Sequence, residues 1–160
     1  MSVSPIPAGF GSVTPHLVLQ GAAAAIDFYK RAFGAVEVRR MPAPDGRLMH
    51  AEIKIGGSML MLADEFPEYG QANSPKSRQG TTVGLHMFVE DTDAGFERAI
   101  AAGATAIMPP MDMFWGDRYG KLADPFGHEW AIATHLRDLS AAEMAQAAVD
   151  AFAQPGCQEG

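Results

Sequence analysis

The chain is expected to fold as an α+β domain. Two tandem β-α-β-β-β units would form a curved mixed sheet around a cavity, and a C-terminal helix would follow. Three observations lead there. The sequence repeats itself at an interval of 70: Val13-Thr14-Pro15-His16-Leu17-Val18-Leu19 matches Val83-Gly84-Leu85-His86-Met87-Phe88-Val89. Each copy continues into a stretch of helical periodicity that stops at a glycine, Gly34 or Gly103. Each then runs through three strand-like stretches divided by turn residues. Fixed-interval self-similarity marks repeated structural units, and two are too few for a solenoid, so they should pair around a shared site.

The elements follow in order. Residues 13–19 read as a short buried strand. Ala22 to Phe33 reads as a helix, because Ile26, Tyr29 and Phe33 share one stripe and Asp27, Lys30 and Arg31 lie off it. Gly34 sits where helices commonly end in a left-handed turn. Strands are expected at 36–41, 48–55 and 58–63, joined by Pro44-Asp45-Gly46 and Gly56-Gly57. In the second unit a strand is expected at 85–89. Asp91, Thr92 or Asp93 would cap a helix running to Ala102. Strands at 105–108, 118–123 and 129–134 complete it, with Asp124-Pro125-Phe126-Gly127 as the last turn. One domain, 1–160, thus divides into repeat one (about 12–63), a linker (64–82), repeat two (about 83–135) and a terminal helix (139–153). The linker is rich in Pro, Gly, Ser and Gln, and at that length reads as a tether or a lid. Ser140-Ala141-Ala142-Glu143 forms a capping box, and Pro155-Gly156 would close the last helix. That helix is expected to dock on the domain or on a second subunit.

Composition excludes several classes. Apolar residues are 48% and charged residues 19%, as in globular rather than disordered chains. A net charge of −7 opposes nucleic acid as a partner, since phosphate binding needs a basic surface. No apolar run is long enough to span a bilayer, and the start lacks the features of a signal peptide. The lone Cys157 has no internal disulfide partner, so a cytoplasmic location is expected. Phosphate-cradling loops, zinc-binding Cys pairs and a nucleophile elbow are also missing from the sequence.

Ala25-Ile26-Asp27-Phe28-Tyr29-Lys30-Arg31-Ala32-Phe33-Gly34 and Asp124-Pro125-Phe126-Gly127-His128-Glu129-Trp130 resemble the vicinal oxygen chelate superfamily, which includes glyoxalase I, extradiol dioxygenases and bleomycin-binding proteins. His50-Ala51-Glu52-Ile53-Lys54-Ile55-Gly56-Gly57-Ser58, with Met113-Phe114-Trp115-Gly116 ahead of Tyr119-Gly120-Lys121, is similar to its PhnB-like branch. The resemblance covers roughly 12–135. It implies sheets curled around a cavity and, in metal-using members, one ligand on the first and last strand of each half. By register those positions fall on Thr14, Met61, Gly84 and Ala131. These are not a ligand set for a hard or borderline divalent metal.

A competing constellation uses the two-residue period of strands, which puts His16 on the face of Thr14, His86 on that of Gly84 and Glu129 on that of Ala131. Two histidines and a glutamate would make a facial triad. Without metal, Glu129 could pair with Arg118 or act as a general base. His50 and Glu52 share the polar face of their strand. Only one of Arg39 and Arg40 can face an anionic substrate. The segment Met108 to Trp115 suits either a planar organic ligand or the core. Gly116 and Gly120 would let a loop approach that ligand closely. The expectation is a homodimeric small-molecule binding protein with His16, His50, His86, Trp115, Tyr119 and Glu129 lining its cavity. Its partner would be a planar or bulky organic molecule, with neither nucleic acid nor membrane involved. The alternative is a lyase, isomerase or dioxygenase in which His16, His86 and Glu129 hold a divalent metal. The cofactor expectation is accordingly none or a single divalent metal. The linker would let the halves pair within a chain or be exchanged between chains.

Overall fold

The computed structural model describes residues 4–153 of the 160-residue chain. Cys157 and the Pro155-Gly156 stop lie outside the described residues. The first unit consists of β1 (His16–Leu19), α1 (Ala22–Phe33), β2 (Val36–Pro42), β3 (Leu48–Ile55) and β4 (Ser58–Asp64). The connector holds a 3-10 turn at Pro67–Tyr69 and a short helix, α2 (Pro75–Arg78). The second unit consists of β5 (Gly84–Phe88), α3 (Thr92–Ala102), β6 (Thr105–Asp112), β7 (Asp117–Ala123) and β8 (Glu129–His135). Helix α4 (Ala141–Ala153) follows.

Each unit builds its own four-stranded mixed sheet, in the orders β1-β4-β3-β2 and β5-β8-β7-β6. The pairs β1/β4 and β5/β8 are parallel and the rest antiparallel. The expected pair of β-α-β-β-β units is present, each with its own mixed sheet. No strand of one approaches a strand of the other; α1 packs against α3 instead. Tyr29, Phe33 and Phe28 of α1 meet Trp130 and Phe126 of the second unit, with ring centroids 4.6–6.4 Å apart. Leu17, Leu19, Ala51, Ile53, Leu60 and Leu62 of the first sheet join this core, as do Leu122, Trp130 and Ile132 of the second. One face of each sheet thus meets the helices. The other turns away from them.

Polar pins fix this arrangement. Helix α1 has only Gly21 at its cap, so it borrows the buried Asp64 carboxylate, which accepts from the N–H groups of Gly21, Ala22 and Leu48. In α3 the cap is Asp91, which accepts from Ala94 N–H. The two helix ends exchange arginines: Arg31 donates to the Ala102 carbonyl and Arg98 to the Ala32 carbonyl. Each guanidinium satisfies a carbonyl left open at a helix C-terminus. Between units, buried Tyr29 donates to Asp124 Oδ2 at 2.6 Å, and Asp124 also takes the indole N–H of Trp130 at 3.0 Å. Its other oxygen holds the turn through the N–H groups of Phe126 and His128.

Two strand boundaries and the connector differ from expectation for stated reasons. Strand β1 starts at His16, because Pro15 has no N–H to give and contributes only its carbonyl, to Met61 N–H. Strand β6 extends through Pro109-Pro110 to Asp112, which an edge strand permits since no neighbour needs those amides. The connector is clamped rather than slack. Glu65, 6% exposed, takes donors from Ser74 N–H, Ser77 Oγ and Gln20 Nε2, while Pro75 packs on Gly127 and the Lys76 ammonium lies 6.0 Å from the Phe126 ring centroid.

Candidate functional site

The period-two reading of the strands places the polar faces correctly and splits the expected site in two. On the first sheet, His16, Met61, Glu52 and Arg39 form one cross-strand row. Its repeat counterpart on the second sheet is His86, Ala131, Lys121 and Met108. Both rows lie on the faces turned away from the helices. Met61 and Ala131 are thus the register neighbours of His16 and His86, and Gly84 pairs with Glu129.

In the first half-site the buried Glu52 is held by His50 Nε2 at 3.1 Å and Arg39 Nε at 3.2 Å. The ring of His16 stands edge-on to that of His50 at 6.3 Å. Burial lowers the His16 pKa and the neighbouring His50 lowers it further. Of the two arginines, Arg39 serves this face while Arg40 pairs with Glu37.

The second half-site is aromatic. Rings run in unbroken contact from Phe88 to His86 (4.7 Å), Tyr119 (5.9 Å), Trp115 (5.6 Å), Phe114 (5.1 Å) and Phe152 of α4 (6.3 Å). Trp115 is held by its indole N–H on Asp117 Oδ2 at 3.0 Å. Asp117 also bonds His135 Nδ1 at 2.7 Å. The hydrogen bonds from Asp117 and then Asp138 raise the His135 pKa. Glu129 bonds Lys121 at 2.5 Å; Arg118 instead pairs with Asp93 and Asp112. The expected Arg118–Glu129 pair does not form, because Arg118 points to the helix side of β7. Nor do the glycines frame a ligand loop. Gly120 is buried against the Phe96 ring, and Gly116 lies under the Arg137 carbonyl.

His16 and His50 therefore stand together on one sheet, and His86, Trp115, Tyr119 and Glu129 on the other. A cavity of about 680 Å³ adjoins the second half-site, with His86 and Phe88 in its lining. It runs along the unpaired edge of β5, between residues 9–15 and the β3–β4 hairpin, and His86 is the one expected site residue lining it. The donors do not fit a metal. Thr14, Met61, Gly84 and Ala131 offer no ionisable group, and His16 sits on a different sheet from His86 and Glu129. Among the described residues no three His, Cys, Asp or Glu side chains are grouped to hold one.

Sequence reasoning left Glu52, Phe88, Asp117, Lys121 and His135 out of the site. Alternation already puts Glu52 on the polar face beside His50. It could have found three more, since Phe88, Asp117 and Lys121 each lie two residues from a side chain already assigned to the open face.

Paired β-α-β-β-β units with sheets facing away from a shared helical core define the class. Residues 11–132 match the Glyoxalase/Bleomycin resistance protein/Dioxygenase superfamily, and the chain belongs to that superfamily. An uncharacterized protein of Mycobacterium bovis is 47% identical over 135 residues, 83% of this chain and 89% of that protein. The crystal structure of TioX from Micromonospora sp. ML1 is similar with a TM-score of 0.60 at 30% identity, over 79% of this chain and all of TioX. A Bacillus cereus PhnB protein, described as a putative 3-demethylubiquinone-9 3-methyltransferase, shares the fold at 21% identity and a TM-score of 0.61, over 78% and 99% of the two chains. No described helix is long and apolar enough to cross a membrane.

Proposed function

We propose that the protein binds a planar organic molecule in a cavity completed by a second copy of the chain. The observation that carries this is the run of six rings, Phe88 to Phe152, which starts on the open face of the second sheet and continues through the β6–β7 turn to α4. Phe88 is 65% and Phe152 78% exposed, and Met111 and Ile107, on the far edge strand β6, are about half exposed. The first sheet is equally bare, with Val36, Val38 and Met41 uncovered on β2. Contiguous exposed apolar surface of this kind marks a binding or interaction surface.

The geometry favours a two-fold partner. The halves cannot swing together within a chain, because Tyr29–Asp124, the exchanged arginines and the clamped connector hold their helical faces in contact. A two-fold dimer sets the first sheet of each copy over the second sheet of the other, and two of the four unpaired edges, β1 and β5, gain a neighbour. Each cavity then has an imidazole and carboxylate wall opposite an aromatic wall. Rings of this type hold a flat ligand by offset stacking, each contact contributing about 0.5–1.5 kcal/mol beyond its buried area. Membership of a superfamily that includes bleomycin resistance proteins agrees with that reading.

Light scattering at micromolar concentration, paired with a thermal-shift screen of planar aromatic compounds, tests the proposal. The expected result is twice the 17.0 kDa chain mass and a ligand that quenches Trp115 fluorescence. Tyr119→Ala should weaken that ligand roughly three- to tenfold. A monomer, or a ligand indifferent to Tyr119→Ala, overturns it.

A further inference from the structure

Glu52 is a deeply buried carboxylate on the open face of the first sheet, only 4% exposed. A carboxylate placed there is stabilised only if its oxygens are bonded. Its Oε2 takes Arg39 Nε and its Oε1 takes His50 Nε2. An ionised carboxylate accepts and cannot donate, so the proton of that second bond belongs to His50 Nε2. In a neutral imidazole the other nitrogen, Nδ1, then carries a bare lone pair. No described residue bonds Nδ1, and the His50 side chain is 27% exposed on the cavity face.

From this geometry we propose that Glu52 and His50 form the acceptor pole of the cavity: Nδ1 of His50 receives an acidic O–H or N–H from the bound molecule. The inference rests on the small-molecule reading above and adds the chemical class of the ligand, a flat molecule bearing a phenol-like hydroxyl or an acidic ring N–H. Glu52 acts as a positioning residue, fixing the tautomer and ring plane of His50 without touching the ligand. The groups around the pair are consistent with that role. Arg39 on β2 neutralises the far oxygen of Glu52. His16 on β1 faces the His50 ring, and burial together with His50 holds its pKa low, so no cation from it competes for Nδ1. The cross-strand neighbours, Met41 of His50 and Met61 of Glu52, bring neither charge nor donor. The second half-site offers no such pole: the position equivalent to Glu52 is Lys121, bonded to Glu129, and the buried Asp117 holds His135, whose second nitrogen is already bonded to Asp138.

Imidazole ¹⁵N NMR tests this on the intact protein without ligand, and then with 4-nitrophenol or 4-nitroanisole as probes. Near neutral pH, His50 should show a protonated Nε2 and a bare Nδ1, and Glu52→Gln should give a mixture of tautomers. Wild-type protein should bind 4-nitrophenol about tenfold more tightly than 4-nitroanisole, the size of one net hydrogen bond, with a shift at His50 Nδ1. Glu52→Gln should erode that preference, and His50→Phe, which leaves the Arg39–Glu52 pair in place, should abolish it while still binding the anisole. A His50 protonated at Nδ1, or equal affinity for the two probes, overturns the inference. The dimer reading fails separately, by a monomeric mass in the same samples.

Discussion

Asp124 shows at the scale of one residue how local and long-range demands meet. The sequence Asp124-Pro125-Phe126-Gly127 announces a turn, and Asp124 does hold that turn through two backbone N–H groups. Nothing in the sequence says that its second oxygen is the anchor for Tyr29, 95 positions away. Burial and then the Asp124 charge raise the Tyr29 pKa, which favours the phenol as the donor in that bond. Tyr29→Phe leaves a buried carboxylate oxygen short of a partner and should cost about 1–3 kcal/mol in urea unfolding, with the slope unchanged. His128 adds a pH dependence. Its Nε2 is buried with no partner, and burial lowers its pKa below 6.5, although Asp124 and the Val18 carbonyl pull the other way. The folded state therefore binds fewer protons than the unfolded chain. Stability is full above about pH 6.5 and falls as the pH drops below it. Thermal melts from pH 7.5 to 5.5 should show that decline, and His128→Gln should flatten it. His135, whose pKa is raised, contributes with the opposite sign, so His135→Gln should steepen it.

Elements were most legible where one physical rule decided them. Strand β3 follows its alternation from His50 to Ile55, the register shift opposite Met41 and Pro42 leaving Leu48 buried and Met49 exposed, and α1 follows its stripe and its terminal Gly34. Helix α4 opens on its capping box, with Glu143 N–H on Ser140 Oγ and Ser140 N–H on Glu143. Periodicity misses the connector, because side chains rather than backbone ladders order it. Burial works to raise the Glu65 carboxyl, but the donors from Ser77, Ser74 and Gln20 outweigh it and hold the group at about 2. Its contribution is present above about pH 4.5 and is lost as the pH falls toward 2. Glu65→Ala should free the connector, cost about 1–3 kcal/mol and speed proteolysis within 65–80. Gly120, assigned to a ligand-approach loop from sequence, lies in β7 with the Phe96 ring 2.9 Å from where a Cβ would sit. Gly120→Ala should destabilise by about 1–3 kcal/mol through overpacking.

The whole molecule is organised by which faces find partners. Two units of one pattern contribute helices to a common core and leave two dissimilar sheet faces bare, one with imidazoles and a buried carboxylate, the other with a row of rings. Phe88→Asp places a charge in the middle of the proposed interface, 65% exposed in the single chain. It should leave monomer stability within about 0.5 kcal/mol while halving the mass seen by light scattering. The sequence alone determined the superfamily, the two repeats and most of the strand faces. Each of those follows from periodicity and residue type, which are local. Tertiary structure decided that the units meet helix to helix, that His16 and His50 stand apart from His86, Tyr119 and Trp115, and that Glu52 lies buried beside His50. Those outcomes depend on contacts between residues up to 95 positions apart, and no local period encodes which distant side chain closes a given hydrogen bond.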